Sequence, residues 1–176
     1  MQPALSSDHP AGQQSQYLTF VVGDAEYGIG LLRAKEIIEY DTVTTVPNAP
    51  AFVRGVINLR GRVVSVVDLA VRFGREPAAV TRRSCIVVVE VVREGTREVV
   101  GIVADRVSQV VELPADAIEP PPVFGAGVRS EWMLGLGRVD NHFVILLDTD
   151  RMLSAWDEGA ALQREEEAAG AEMAGA

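Results

Sequence analysis

Gly55-Val56-Ile57-Asn58-Leu59-Arg60-Gly61-Arg62-Val63-Val64-Ser65-Val66-Val67-Asp68 is two short apolar runs on either side of an Arg-Gly pair. β-Branched Val and Ile dominate both runs, and their stiff side chains suit a pleated surface better than a helix. Glycine supplies the turn conformation between them, so the stretch reads as a hairpin, Val56–Leu59 with Val63–Val67. Three more hairpins follow the same logic. Leu18, Phe20 and Val22 share one face, Gly23-Asp24-Ala25 interrupts, and Tyr27, Ile29 and Leu31 alternate on the return. Cys85–Val92 pairs with Val99–Ala104 around Glu94-Gly95, and Met133–Val139 with Phe143–Leu147 around Asp140-Asn141. The runs Val63–Val67 and Ile86–Val89 are continuously apolar, which predicts cover on both faces. Helix is confined to short pieces, around Arg33–Ile38, from Asp68 through Phe73 and from Asp148 through Leu153, so the class is all-β with minor helix.

The plan is used twice. Phe52-Val53-Arg54-Gly55 matches Trp132-Met133-Leu134-Gly135, and Val64-Ser65-Val66-Val67-Asp68 matches Val144-Ile145-Leu146-Leu147-Asp148, both at a spacing of 80 residues. Gly28-Ile29 resembles Gly101-Ile102, and Val46-Pro47 resembles Leu113-Pro114, at shorter spacings. Two similar five-stranded barrels packed together follow, because closing each sheet removes edges that would otherwise recruit other chains.

The chain has 176 residues and 48% hydrophobic content, enough for a real core. Its net charge of −9 is concentrated at the end, where residues 155–176 hold six acids against one Arg. Residues 17–154 carry 18 acids and 15 bases, so the folded part lacks the basic field that nucleic acid requires. Residues 1–16, rich in Gln, Ser, Pro and Ala, read as a flexible tail, 17–154 as the folded unit dividing near 75–83, and 155–176 as an acidic Ala/Glu-rich tail with a helical segment. A single cysteine, Cys85, sits in an apolar run and cannot form an internal disulfide. No stretch reaches the length of a membrane span or a signal peptide, which predicts a cytoplasmic protein without direct membrane insertion.

Catalytic chemistry is thin. His9 lies in the tail and His142 at a hairpin turn, and no His/Cys/Asp/Glu cluster has metal-ligand spacing. Gly125-Ala126-Gly127 and Gly135-Leu136-Gly137 lack the strand-to-helix context of a dinucleotide fingerprint. The expectation is no enzyme activity, no metal and no cofactor. A barrel that binds a small molecule or hydrolyses one would need a deep polar pocket of converging ionisable groups.

In order, Tyr17-Leu18-Thr19-Phe20, Tyr27-Gly28-Ile29, Glu36-Ile37, Pro50-Ala51-Phe52-Val53-Arg54-Gly55-Val56-Ile57-Asn58-Leu59-Arg60-Gly61, Val67-Asp68-Leu69 and Gly101-Ile102-Val103-Ala104-Asp105 resemble the successive motifs of the CheW family. The resemblance covers roughly residues 16–154. It implies paired five-stranded SH3-like barrels, whose terminal strands can exchange, in an adaptor for chemotaxis. The implied partners are the regulatory domain of a CheA-type histidine kinase and the cytoplasmic tips of chemoreceptors. The same resemblance fits an adaptor of a non-chemotactic chemosensory pathway.

Arg60 stands at a hairpin tip where packing does not require it and where its planar donor fork can engage a carboxylate. By itself it also fits a solubilising turn residue; its match to the family's arginine implies partner contact. Glu36 alone reads as a solvated acid on a short helical turn, and by resemblance as the glutamate that pairs with that arginine. Gly55, Asn58 and Val110 also match positions that affect partner binding, although the residues themselves fit a barrel bend, a turn and a core position. Ala34 and Lys35 depart from the family pattern beside Glu36, where relatives often carry a larger β-branched residue and a neutral polar one.

Overall fold

The computed structural model describes residues 14–121 and 130–153. Eleven strands form two sheets: β1 (Gln14–Val22), β2 (Ala25–Gly30), β3 (Ala34–Glu39), β4 (Val53–Leu59), β5 (Arg62–Val67), β6 (Cys85–Arg93), β7 (Thr96–Ala104), β8 (Arg106–Pro114), β9 (Ile118–Glu119), β10 (Met133–Val139) and β11 (His142–Leu147). The helical pieces are a 3-10 turn at Leu31–Arg33, α1 (Leu69–Arg72), a second 3-10 turn at Ala115–Ala117, a third at Ser130–Trp132 and α2 (residues 149–153). All four expected hairpins are present. The acidic tail and its expected helical segment lie outside the described residues.

One sheet runs β8-β1-β2-β11-β10-β9 and the other β3-β6-β7-β5-β4. Each therefore draws strands from both sides of residues 75–83: the N-terminal hairpin joins the strands of the C-terminal half, and β6–β7 joins those of the N-terminal half. The repeat is visible in the pairing. Gly28 pairs in parallel with Leu146, and Gly101 in parallel with Val66, so the two glycines hold equivalent places against residues 80 apart. Both β4 and β10 shift register at the glycine, between Val53 and Gly55 and between Met133 and Gly135. Asp68 N donates to Phe52 O at 2.7 Å, as Asp148 N does to Trp132 O at 2.8 Å. The expected match of Val46-Pro47 with Leu113-Pro114 does not hold, because Leu113 lies within β8 whereas Val46 lies beyond the strand-like bridge at Thr44.

Closed five-stranded barrels are not what the ladders show. The first sheet has a sixth strand, the two-residue β9, and each sheet keeps two edges. Short links bring those edges together. The chain leaving β3 forms one bridge to β4, where Thr44 and Val56 exchange two 2.9 Å backbone hydrogen bonds. In the other sheet the chain leaving β8 passes through Ala115–Ala117 into β9, which pairs with β10.

Three apolar clusters fill the molecule. Ile57, Val64, Val66, Ile86, Val88 and Val103 pack inside the five-stranded sheet, and Tyr17, Leu113, Val139, Val144 and Leu146 inside the six-stranded one. The largest lies between the sheets and takes Leu18, Phe20, Val22, Tyr27 and Ile29 from one and Val87, Val89, Val91, Val100 and Ile102 from the other. Alternate residues of β6 thus enter different cores, and the run Ile86–Val89 is buried on both faces as expected. Val63–Val67 is not. Val63 is 77% exposed because its side chain leaves the sheet next to the hairpin tip.

Two expectations about boundaries change. β1 begins at Gln14, where the polar residues Gln14, Ser15 and Gln16 pair with Pro114, Leu113 and Glu112 of β8. Residues 34–39 form strand β3 rather than a helical turn, with only Leu31–Arg33 helical. β3 pairs with β6, and Lys35 is an extra residue between the partnered Ala34 and Glu36.

Candidate functional site

The β4–β5 turn is built from Arg60 (φ 52°) and Gly61 (φ 83°), both in the left-handed region that two-residue hairpins use. Glycine adopts it freely, whereas a side chain there costs about 1 kcal/mol. An arginine at this tip is therefore not explained by turn chemistry. Asn58 anchors the turn, its Oδ1 accepting from Gly61 N at 2.8 Å.

Arg60 reaches back to β3. Its Nη1 donates to Glu36 Oε2 at 2.5 Å and its Nη2 to Glu36 Oε1 at 3.0 Å, a two-pronged ion pair. β3 and β4 are opposite edges of one sheet, so the pair confirms that the sheet curls round and holds the hairpin tip over the gap. The bulge at Lys35 sets the facing of Glu36, and Lys35 itself lies 3.5 Å from Glu90. The arginine side chain is 75% exposed and the glutamate 25%, so the guanidinium keeps an open face while its carboxylate partner is partly sheltered. Val63, opposite Asn58 in register, and Ile37, beside Glu36, are exposed apolar side chains on the same two elements.

Gly55 lies further along β4, paired with Val66 away from the turn, and acts through its backbone. Its φ is 150°, and a Cβ there would lie 2.1 Å from Thr44 O, the atom that accepts Val56 N in the edge bridge. Val110 is elsewhere. It lies on β8 at the edge of the six-stranded sheet, 47% exposed rather than in the core. The structure thus brings Glu36, Arg60 and Asn58 together at the hairpin tip and leaves Gly55 further along β4, beside Thr44, and Val110 on a separate surface.

Several organising side chains escaped the sequence reading. Asp68, almost fully buried, caps α1 through Ala70 N at 2.9 Å, accepts Ala78 N at 3.0 Å and receives Arg54 Nε at 3.0 Å. Arg54 also donates to Ala78 O and to the Tyr40 hydroxyl. Arg33 grips Asp150 at 3.1 and 2.8 Å, and Asp150 accepts Val92 N, so α2 is tied to β6. The Arg72 guanidinium lies between Phe52 and Trp132, 4.7 and 4.2 Å from the ring centroids, at equivalent positions of the two repeats. The only available signal was a charged residue inside an otherwise apolar strand or helix.

Burial raises the Cys85 thiol above its ordinary value, and Asp105 adds to the shift, as for an unreactive half-buried hydrophobe. His142 pairs with Glu26 at 3.0 Å on the surface. Among the described residues no group of three His, Cys, Asp or Glu is arranged to hold a metal, and no helix is long and apolar enough to cross a membrane.

The family model described as "CheW-like domain" matches residues 16–156. This chain belongs to the CheW-like domain family. Its relatives include the Chemotaxis protein CheW of Klebsiella aerogenes, 39% identical over 140 residues that cover 80% of this chain and 82% of the relative. A probable chemotaxis protein CheW of Rhizobium etli is 32% identical over 146 residues, covering 83% and 92%. The crystal structure of the scaffolding protein TtCheW from Thermoanaerobacter tengcongensis superposes with a TM-score of 0.70 at 27% identity, covering 78% of this chain and 91% of that one. In the CheW-like frame, the Arg60–Glu36 pair and the Gly55 corner fall inside the matched region, as does Val110.

Proposed function

We infer that this CheW-like chain is a chemotaxis scaffold that couples chemoreceptor tips to the regulatory domain of a CheA-type histidine kinase, making and breaking no covalent bonds itself. Its place of work is the cytoplasmic side of the membrane, where such tips project. The observation that carries this reading is the two-pronged Arg60–Glu36 pair on an exposed hairpin tip, whose guanidinium keeps an open face. An exposed arginine held in place is what a protein contact uses, since the fork gives geometric specificity. Val110, on the other sheet, provides a second surface for a second partner. Signal passes because contacts differ between partner states; equal binding to both would shift nothing.

The test is binding of the kinase regulatory domain and of a receptor tip to the wild type, Arg60→Ala and Glu36→Ala, with circular dichroism on each variant. Affinity for at least one partner falls while the fold is retained. Unchanged affinity for both partners in both variants removes these residues from the interface.

A further inference from the structure

Arg33, at the end of the 3-10 turn between β2 and β3, grips Asp150 of α2 across 117 residues of sequence. Its Nη1 serves both Asp150 Oδ1 at 3.1 Å and Glu90 O at 3.4 Å, while Nη2 donates to Asp150 Oδ2 at 2.8 Å. Asp150 Oδ1 also accepts Val92 N at 2.9 Å. One carboxylate therefore fixes the entrance of β3 against β6. β3 is an edge strand whose ladder is with β6 alone, and it carries Glu36. Its register shows what the clamp does. Glu36 pairs with Val88 and Ile37 with Val87, a register that, continued upstream, would set Lys35 against Val89 and Ala34 against Glu90. Ala34 instead pairs with Val89, one residue out of step, and Lys35 is squeezed out as the bulge. That offset brings Arg33 level with Glu90, whose carbonyl it reaches; in the regular ladder it would stand level with Val91.

We propose that Asp150, acting through Arg33, is a positioning residue for the Arg60–Glu36 contact: the clamp holds the bulge at Lys35, and the bulge turns Glu36 towards the hairpin tip. This rests on the partner contact at Arg60 proposed above. Bulges bend their strand, raise its local twist and re-aim the side chain beside them. Glu36 is that side chain. Release of the clamp frees Ala34 and Lys35 to join the regular ladder, which straightens β3 and withdraws the carboxylate from Arg60. The arginine then keeps its charge but loses its fixed geometry, on which a two-pronged contact with a partner depends. With Arg33 36% and Asp150 29% exposed, the clamp adds little to stability, so its removal leaves a folded protein.

The test combines the nitrogen NMR signals of the Arg60 guanidinium with titration of the kinase regulatory domain, on the full-length chain. In Asp150→Asn, folded by circular dichroism, the Arg60 signals are expected to move towards their positions in Glu36→Ala, and affinity to fall several-fold. Arg33→Gln breaks the same clamp while leaving Asp150 its bond from Val92 N, and is expected to do the same. Asp150→Asn added to Arg60→Ala brings no further loss of binding, because both act through one contact. Arg60 signals that stay at their wild-type positions in both clamp variants overturn the proposal, as a merely stabilising pair would leave them there. So does a loss of binding in the double variant that equals the sum of the two single losses. Should Arg60→Ala bind the kinase domain as the wild type does, the functional reading fails, and the Arg60 signals alone still decide whether the clamp positions the pair.

Discussion

Arg60 and Glu36 join two edges of the same sheet, the guanidinium lying 2.5 and 3.0 Å from the two carboxylate oxygens. Because the arginine is mostly exposed, the pair contributes no more than about 1 kcal/mol to folding. Arg60→Ala is expected to move the urea midpoint little. The charge-reversed double variant, Arg60→Glu with Glu36→Arg, separates the two roles. It restores the intramolecular pair but presents the wrong charge to a partner, so stability recovers and binding does not. Recovery of binding in the double variant assigns the pair a purely internal role.

Arg54 and Asp68 are a different matter, although both involve an arginine and a carboxylate. Asp68 is buried beneath Arg54, and removal of the arginine leaves its charge without a compensating partner. Arg54→Ala is expected to cost about 3 kcal/mol in urea unfolding, with Arg54→Lys recovering only part because one ammonium cannot reach Asp68, Ala78 O and the Tyr40 hydroxyl together. A change below 1 kcal/mol for Arg54→Ala contradicts this assignment.

Gly55 and Gly135 occupy equivalent places, with φ of 150° and 154°, and a Cβ at either would strike a carbonyl oxygen, that of Thr44 or of Glu119. Gly55→Ala and Gly135→Ala are each expected to destabilise by about 2 kcal/mol or more by calorimetry, through backbone strain and loss of the edge link. A Gly55→Ala protein that loses partner binding at wild-type stability instead makes Gly55 a direct contact.

Alkaline pH should weaken the fold. Burial raises the Cys85 thiol above 9.0 and the Tyr17 and Tyr27 hydroxyls above 10.0; Ser15 and Arg75 offset the two tyrosine shifts only in part. Groups raised in the folded state stay neutral there while the unfolded chain ionises first. Their stabilisation is complete below the unfolded values and is lost as pH climbs through them towards the folded ones. The urea midpoint is expected to hold from pH 7 to about 8 and then fall, with Cys85→Ala delaying the onset. A midpoint that rises above pH 9 reverses the sign and contradicts the burial of these groups.

The legible part of the fold was local. Val56–Leu59 and Val63–Val67 flank an Arg-Gly turn, and pairing across two residues needs no information from elsewhere. The repeat at 80 residues was legible for the same reason, since both copies keep their strand–turn–strand order. Residues 34–39 were misread because the bulge at Lys35 breaks the alternation of a strand. β8 was hidden in the same way: Ser108 is an extra residue between Val107 and Gln109, which pair with Phe20 and Thr19. Which hairpin joins which sheet depends on the core between the sheets, which no window of sequence contains. The Glu36–Arg60 pairing came from family resemblance, being 24 residues apart and across a curled sheet, and Arg54–Asp68 carried no signal beyond a charge in an apolar run.

The most direct measurement of the scaffold claim is co-sedimentation of the kinase with membranes bearing the receptor, with and without this chain. Kinase is expected in the pellet only when the chain is present, and to return to the supernatant when Arg60→Ala replaces the wild type. Equal kinase in the pellet with and without the chain contradicts the account.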